Sequence, residues 1–105
     1  MTSPGNGRRL FQISFSDVIA EDIRQLQRRA SREGRGEEFL LALRAVVDFL
    51  QKNPNDFGEP LYRLTAVRMM VRCSVIRPLS IDFAVCEDRP IVFIKAVRLL
   101  PPRIS

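Results

Sequence analysis

The spacing of the hydrophobic residues changes near residue 60, and this change constrains the fold more than any other feature of the chain. Before it, two stretches repeat apolar residues at helical intervals: Ile19, Ile23, Leu26 and Ala30, then Phe39, Leu43, Val46 and Leu50. After it, apolar and polar residues alternate, which is typical of strands with one buried face. The sequence therefore predicts a helical half followed by a sheet.

The signals at the ends of the helical stretches predict two helices. The first is expected from Asp17 to Arg32, with Ser16 as its N-cap. Glycines within 34–36 interrupt the chain, and a second helix is expected from Glu37 to Gln51. Because the connection is short and contains glycine, the two helices should form an antiparallel hairpin.

Alternating segments predict the strands. A short strand is expected within residues 10–15, and three more are expected at 67–75, 79–86 and 91–97. Residues 91–97 are almost continuously apolar, with Lys95 as the interruption, as in a central strand. The expected order β-α-α-β-β-β makes an α+β fold, with a helical hairpin packed on one face of a small antiparallel sheet.

Length and composition indicate one domain. The chain has 105 residues, of which 1–8 are small or polar and are predicted to be a disordered tail, so that residues 9–105 form the domain. No apolar run approaches the roughly 20 residues that span a bilayer. The first residues lack the apolar segment of a secretory signal. We therefore expect a cytoplasmic protein with no membrane contact.

Net charge is confined to the sheet half. Residues 1–59 carry nine Lys or Arg and nine Asp or Glu, whereas residues 60–105 carry eight and three. Fifteen of the 17 basic residues are arginines, whose planar guanidinium suits phosphate and carboxylate. Strand alternation predicts Arg68 and Arg72 on the sheet face opposite the helices. A basic face of this kind favours polyanions or acidic proteins as partners.

The two cysteines and the lack of histidine bear on metal binding. Cys73 and Cys86 fall on opposite parities of neighbouring strands, so the sequence predicts that they face different sides and form no disulfide. Two cysteines without histidine do not make an ordinary zinc site. We expect neither a metal nor another cofactor.

Three segments resemble the RelE/ParE superfamily of type II toxin-antitoxin toxins: FQISFSDVIAEDIRQLQRR, GEPLYRL and SIDFAVCEDRPIVFIKAVRLLP. The likeness extends from Leu10 to Pro101 and includes the order of elements. It implies a small cytoplasmic toxin-like protein that is neutralised by a cognate antitoxin.

Family members that cut messenger RNA on the ribosome use basic residues on several strands and an aromatic or histidine residue near the C-terminus. On this likeness, Ser80 stands where the middle-strand arginine is usual, and Leu100 stands where the C-terminal arginine is usual. The resemblance leaves Arg68, Arg72 and Arg77 as the candidates for catalytic basic positions.

Cleavage of RNA also needs groups that accept and donate a proton. The chain has no histidine, and arginine is a poor proton shuttle. Four other side chains remain as candidates for proton transfer: Glu59, Tyr62, Asp82 and Lys95. These four residues form no recognisable catalytic pattern in the sequence. This argues against an enzyme but does not decide whether the protein has catalytic activity.

The expected function is therefore that of a toxin-like protein that binds a macromolecular target, such as DNA gyrase in the ParE branch. The expected binding residues lie on the basic sheet face: Arg63, Arg68, Arg72, Arg77 and Arg98. One alternative is a RelE-like endonuclease that cuts messenger RNA on the ribosome. Another is an inactive relative that serves only as an interaction module. The sequence also allows a homodimer that forms through a strand edge or through the helices.

Overall fold

The computed structural model describes residues 10–102, which contain two helices and five strands. The elements in chain order are β1 (Gln12–Ser14), α1 (Asp17–Arg32), α2 (Gly36–Lys52), β2 (Glu59–Leu64), β3 (Met69–Ile76), β4 (Leu79–Cys86) and β5 (Ile91–Leu99). Short 3₁₀ turns cover Pro54–Asp56 and Thr65–Val67. The predicted disordered tail, residues 1–8, lies outside the described residues.

The five strands form one sheet in the order β1-β5-β4-β3-β2. β1 pairs with β5 in parallel, and all other neighbours are antiparallel. The two helices pack on one face, where Leu50 of α2 and Phe83 of β4 are fully buried. A second cluster joins Ala30 of α1 and Phe39 of α2 to Leu79 of β4. Because both helices pack on the same face, the other face of the sheet has no helix against it.

The α+β class and the two helices are confirmed. α1 has the predicted bounds, and the Ser16 hydroxyl accepts a hydrogen bond of 3.2 Å from the backbone N–H of Ile19, as expected of an N-cap. No helix within residues 10–102 is long and apolar enough to cross a membrane.

Two details of the predicted sheet are wrong. The sequence predicts four strands, but the segment Glu59–Leu64 is a fifth strand at the sheet edge. It escaped prediction because nearly all of its residues are exposed, so no buried face imposes an alternating pattern. The sheet is also mixed rather than antiparallel, since the first strand runs parallel to the last.

The tight connection between β3 and β4 sets which side chains share a face. Ile76 lies opposite Leu79, so Arg72 lies opposite Phe83 and on the helix side of the sheet. The prediction that Arg72 faces away from the helices is therefore wrong. Arg68 lies outside the strands, in the turn between β2 and β3, with a left-handed backbone (φ 54°).

The same register corrects the prediction for the cysteines. Cys73 lies opposite Asp82, which shares a face with Cys86, so both thiols are on the same side of the sheet. Cys86 is four residues further along β4 than Asp82, which separates the two thiols by about 13 Å along the strand direction. Both cysteines are free thiols.

The sheet face away from the helices is called the open face. Its residues follow from the register: Glu59, Tyr62 and Leu64 on β2, Met69, Val71, Cys73 and Val75 on β3, Ser80, Asp82, Ala84 and Cys86 on β4, and Phe93, Ala96 and Arg98 on β5. Four of them are buried: Val71, Ser80, Ala84 and Cys86. The accessible part of the open face therefore lies around the other side chains.

Candidate functional site

Four polar side chains converge in the middle of the open face: Cys73, Ser80, Asp82 and Arg98. They come from three adjacent strands. Ser80 lies opposite Arg98 across β4 and β5, and Asp82 lies opposite Cys73 across β4 and β3. Opposite and diagonal positions on neighbouring strands bring side chains within contact distance. The register of the sheet alone therefore assembles the group, which we call the open-face cluster.

Arg98 links two members of the open-face cluster. Its Nη2 donates to Asp82 Oδ1 at 2.9 Å and lies 3.4 Å from Ser80 Oγ. The hydrogen bond and the negative charge of Asp82 raise the pKa of Arg98 above its ordinary value. Arg98 therefore remains a cation. Half of its side chain is exposed, at 51%, so it can still contact a partner.

Cys73 lies beside this pair, with its Sγ 4.0 Å from Ser80 Oγ. Burial is the main cause that raises the pKa of the Cys73 thiol, and a hydrogen bond to Asp82 adds to it. The thiol therefore stays protonated at neutral pH, whereas a nucleophilic cysteine requires a thiolate. The cluster is suited to hydrogen bonding and charge recognition rather than to attack by sulfur.

Three of the four proton-transfer candidates also lie on the open face. Glu59, Cys73 and Asp82 form one row across β2, β3 and β4, which places the two carboxyl-bearing residues about 10 Å apart at ordinary strand spacing. Tyr62 lies on the same face, opposite Val71, and is 51% exposed. The fourth candidate, Lys95, is an exposed residue at the irregularity between β4 and β5.

The five predicted binding arginines do not gather on one face. Arg63 lies opposite Met70, on the helix side, and makes two hydrogen bonds of 2.6 Å to Glu87. Arg68 contributes to lowering the pKa of the same Glu87 carboxyl, after the larger effect of Arg63. These two arginines therefore belong to the end of the sheet where β2 turns into β3.

Arg72 and Arg77 bind backbone carbonyl groups. Arg72 donates from Nε to the oxygen of Phe57 and from Nη2 to the oxygen of Gly58, both at 3.0 Å. Arg77 donates to the oxygen of Pro101 at 3.1 Å. Of the five predicted residues, Arg98 is the one that the register places on the open face. The other four are spread around the rim and the helix side.

Cys73 and Ser80 were missing from the predicted binding set, and the pairing of Asp82 with Arg98 was not foreseen. A signal was present in β4, where Ser80 and Asp82 occupy alternate positions between the core residues Leu79, Ile81 and Phe83. Two polar residues on the uncovered face of a central strand indicate a polar cluster there. Its partner on β5 depends on the register, which the sequence does not reveal.

Within residues 10–102, no group of three or more His, Cys, Asp or Glu side chains is arranged to hold a metal ion. Comparison with protein-family models, with curated proteins and with solved structures gives no match for this chain.

Proposed function

We propose that this chain is a toxin-like binding module of the RelE/ParE kind that acts in the cytoplasm and binds a macromolecular target through the open face. A cognate antitoxin would neutralise it by covering part of this surface. The target would be a protein, such as DNA gyrase in the ParE branch. This proposal rests on the resemblance of the sequence together with the observation below.

The observation that carries the proposal is that the helices cover one face of the sheet, while Arg98 and Asp82, at 51% and 25% exposure, form an ion pair in the middle of the other face. A sheet face that carries an exposed ion pair is a surface suited to a partner with polar groups of its own. Tyr62 and Val75, both about half exposed, add apolar area around the pair. Arginine and tyrosine are among the residue types enriched at protein–protein interfaces, so Arg98 and Tyr62 suit a protein partner.

Three of the arginines already have hydrogen-bond partners within the chain, which favours a protein partner over a nucleic acid. Arg63 is bound to Glu87, Arg72 to two carbonyl groups and Arg98 to Asp82. Nucleic-acid affinity depends on arginines and lysines that are free to neutralise phosphates. A guanidinium that is already matched by an internal acceptor contributes less to phosphate binding.

The test is growth of a bacterial host during induced expression. The natural chain should arrest growth, and Arg98→Ala should relieve the arrest while the protein stays folded and soluble. Arg44→Ala is the matched control, because Arg44 is an exposed arginine on α2, and it should leave the arrest intact. The proposal fails if the folded natural chain does not arrest growth. It also fails if Arg98→Ala arrests growth as strongly as the natural chain.

A second candidate, a RelE-like endonuclease of messenger RNA on the ribosome, is favoured by one observation: Glu59, Tyr62 and Asp82 share the open face with Arg98. Such a face combines proton-transfer groups with a cation that can stabilise a phosphorane. Cleavage of ribosome-bound messenger RNA, abolished by both Tyr62→Phe and Arg98→Ala, would favour this function. Growth arrest without cleavage would favour the binding module.

A further inference from the structure

Strand β5 has an edge that β1 covers only in part. β1 pairs with Ile91–Phe93, whereas β5 continues to Leu99. Within residues 10–102 no other strand pairs with β5 on that side. The uncovered stretch, residues 94–99, spans about 20 Å at the usual rise per residue. We call it the free edge of β5.

The backbone groups on the free edge can be identified from the pairing with β4. The N–H of Leu100 donates to the oxygen of Pro78 at 2.7 Å, so this residue faces β4. Hydrogen-bonded and non-hydrogen-bonded positions alternate in an antiparallel pair. The N–H and C=O of Val97 and Leu99 therefore point away from β4, toward the free edge.

The accessibility of β5 agrees with an edge that is partly uncovered. β4, which has a strand on each side, is buried at seven of its eight positions. β5 is buried at only two of its nine positions, Val92 and Leu99. Lys95 and Arg98 on this stretch are exposed. The side chains of this stretch are therefore more accessible than those of a strand that is paired on both sides.

A groove of about 580 Å³ lies where β1 ends and the free edge begins. Its lining comes from the start of α1, the end of β1 and the middle of β5. Phe15 and Val18, at 52% and 69% exposure, form an apolar wall, and Lys95 is the charged residue in the lining. The groove offers an apolar site at one end of a row of unpaired backbone groups.

We propose that the free edge of β5 and this groove bind an extended, acidic peptide segment of a partner protein by strand addition. The peptide backbone would pair with Val97 and Leu99, one apolar side chain would enter the groove against Phe15 and Val18, and a carboxylate would lie near Lys95. In strand addition the main chain provides affinity and alternate side chains provide specificity.

The charges on the free edge select this occupant over a second copy of the chain. Lys95 lies on the free edge, so edge-to-edge pairing of two copies would bring two lysines together, whereas the charge of Arg98 is already matched by Asp82. Lysine on a strand edge is a device that opposes such self-association. An acidic peptide meets the same charges with attraction. This inference does not depend on the proposed function of the open face.

The probe is a displayed library of ten-residue peptides in which apolar residues alternate with random residues that include Asp and Glu. Selection on the full chain should enrich peptides with a carboxylate beside an apolar position. Lys95→Glu should weaken their binding, whereas Arg89→Glu, an equal change of charge in the β4–β5 turn, should not. Failure to enrich any peptide, or equal loss in both variants, would overturn the proposal.

Val97→Pro tests the backbone pairing directly. Proline removes an N–H that points to the free edge, and edge strands tolerate proline at such positions. Val97 is partly buried against both core clusters, so Val97→Ala is the control for lost packing. The dissociation constant of a selected peptide should rise about tenfold or more in Val97→Pro and less than about threefold in Val97→Ala. Equal effects of the two changes would show that the backbone of β5 is not used.

Methylated peptides give a test that does not depend on the folding of any variant. A selected peptide is made with N-methyl groups at its odd positions and again at its even positions. Strand addition requires that one set abolishes binding and the other is tolerated, because alternate N–H groups face β5. Similar binding by both forms would overturn the proposal. Concentration-dependent dimerisation that Val97→Pro abolishes would also overturn it, by assigning the edge to a second copy.

Discussion

Arg98 of β5 and Asp82 of β4 form a 2.9 Å ion pair on the sheet face that the helices leave uncovered. They lie diagonally across the two strands, since Arg98 is opposite Ser80 and Asp82 is opposite Ala96. Because neither residue faces the core, the pair is not needed to fill it. The core therefore does not require either residue, whereas Ser80 beside them in the open-face cluster is itself buried.

A double-mutant cycle should give this pair a small coupling energy. The Arg98 and Asp82 side chains are 51% and 25% exposed, and pairs with such access to water contribute about 0.2–1 kcal/mol. We expect Arg98→Ala, Asp82→Ala and the double variant to show coupling of this size in urea unfolding. Coupling above about 2 kcal/mol would mean that the pair is more enclosed than the structure indicates.

Arg72→Ala should reduce stability rather than act on target binding. Its two hydrogen bonds hold the carbonyl groups of Phe57 and Gly58, and Phe57 is buried in the core. Loss of the donor leaves the partly buried carbonyl of Phe57 unmatched, whereas the exposed carbonyl of Gly58 can bond to water, so the free energy of unfolding should fall by about 1–2 kcal/mol. Thermal or urea unfolding measures this cost.

Arg44→Ala is the control for removing an exposed arginine on α2 and should change stability by less than about 0.5 kcal/mol. If Arg72→Ala is as stable as this control and yet abolishes growth arrest, Arg72 would be a binding residue as the sequence suggested.

The helices could be predicted from the sequence because burial on one side gives each of them an unambiguous period. β4 could be predicted because large apolar residues alternate in it with small or polar ones, although seven of its eight positions are buried. In β3 both parities are partly apolar, with Val71 and Val75 on one side and Met70 and Ile76 on the other. Composition therefore favoured the wrong face. The face is decided by the pairing of Ile76 with Leu79, which depends on the geometry of a two-residue turn.

The candidate site was predictable only in part for the same reason. Arg98 and Asp82 were each identified as residues of interest, but their contact depends on the register of β4 and β5. That register includes an irregularity between Asp82 and Phe83, which shifts the pairing by one residue at Lys95. Lys95, a charged residue within the apolar segment 91–97, is only a weak sign of a bulge in the sequence. The hydrophobic pattern of β5 therefore cannot predict which residues of β4 and β5 lie opposite each other beyond the bulge at Lys95.

Gly58→Ala should destabilise the fold far more than Gly34→Ala. Both glycines have a positive φ, of 75° and 76°, so each substitution carries the cost of a left-handed backbone, about 1 kcal/mol. A methyl group at Gly58 would in addition lie 2.2 Å from the backbone oxygen of Cys73, whereas nothing lies within 4 Å at Gly34.

We therefore expect a loss of about 3 kcal/mol or more for Gly58→Ala and about 1 kcal/mol for Gly34→Ala, from urea unfolding of the two variants. Equal losses would mean that the loop before β2 moves away from β3 at little cost.

The pairing of Arg63 with Glu87 should make one carboxyl group titrate at unusually low pH. A hydrogen bond from Arg63, with its charge, lowers the pKa of Glu87 below the ordinary 4.5. Because the folded pKa is the lower one, this interaction stabilises the fold above pH 4.5 and is lost as the pH falls through the folded pKa. In Arg63→Gln the Glu87 pKa should rise toward 4.5, with Arg68 still holding it slightly down.

Carboxyl chemical shifts followed by NMR across the acid range measure the change. Arg89→Gln removes an arginine that lies only loosely near Asp88, at 4.0 Å, and should leave the Glu87 titration unmoved. Identical Glu87 titrations in the natural chain and in Arg63→Gln would show that the ion pair is not held in solution.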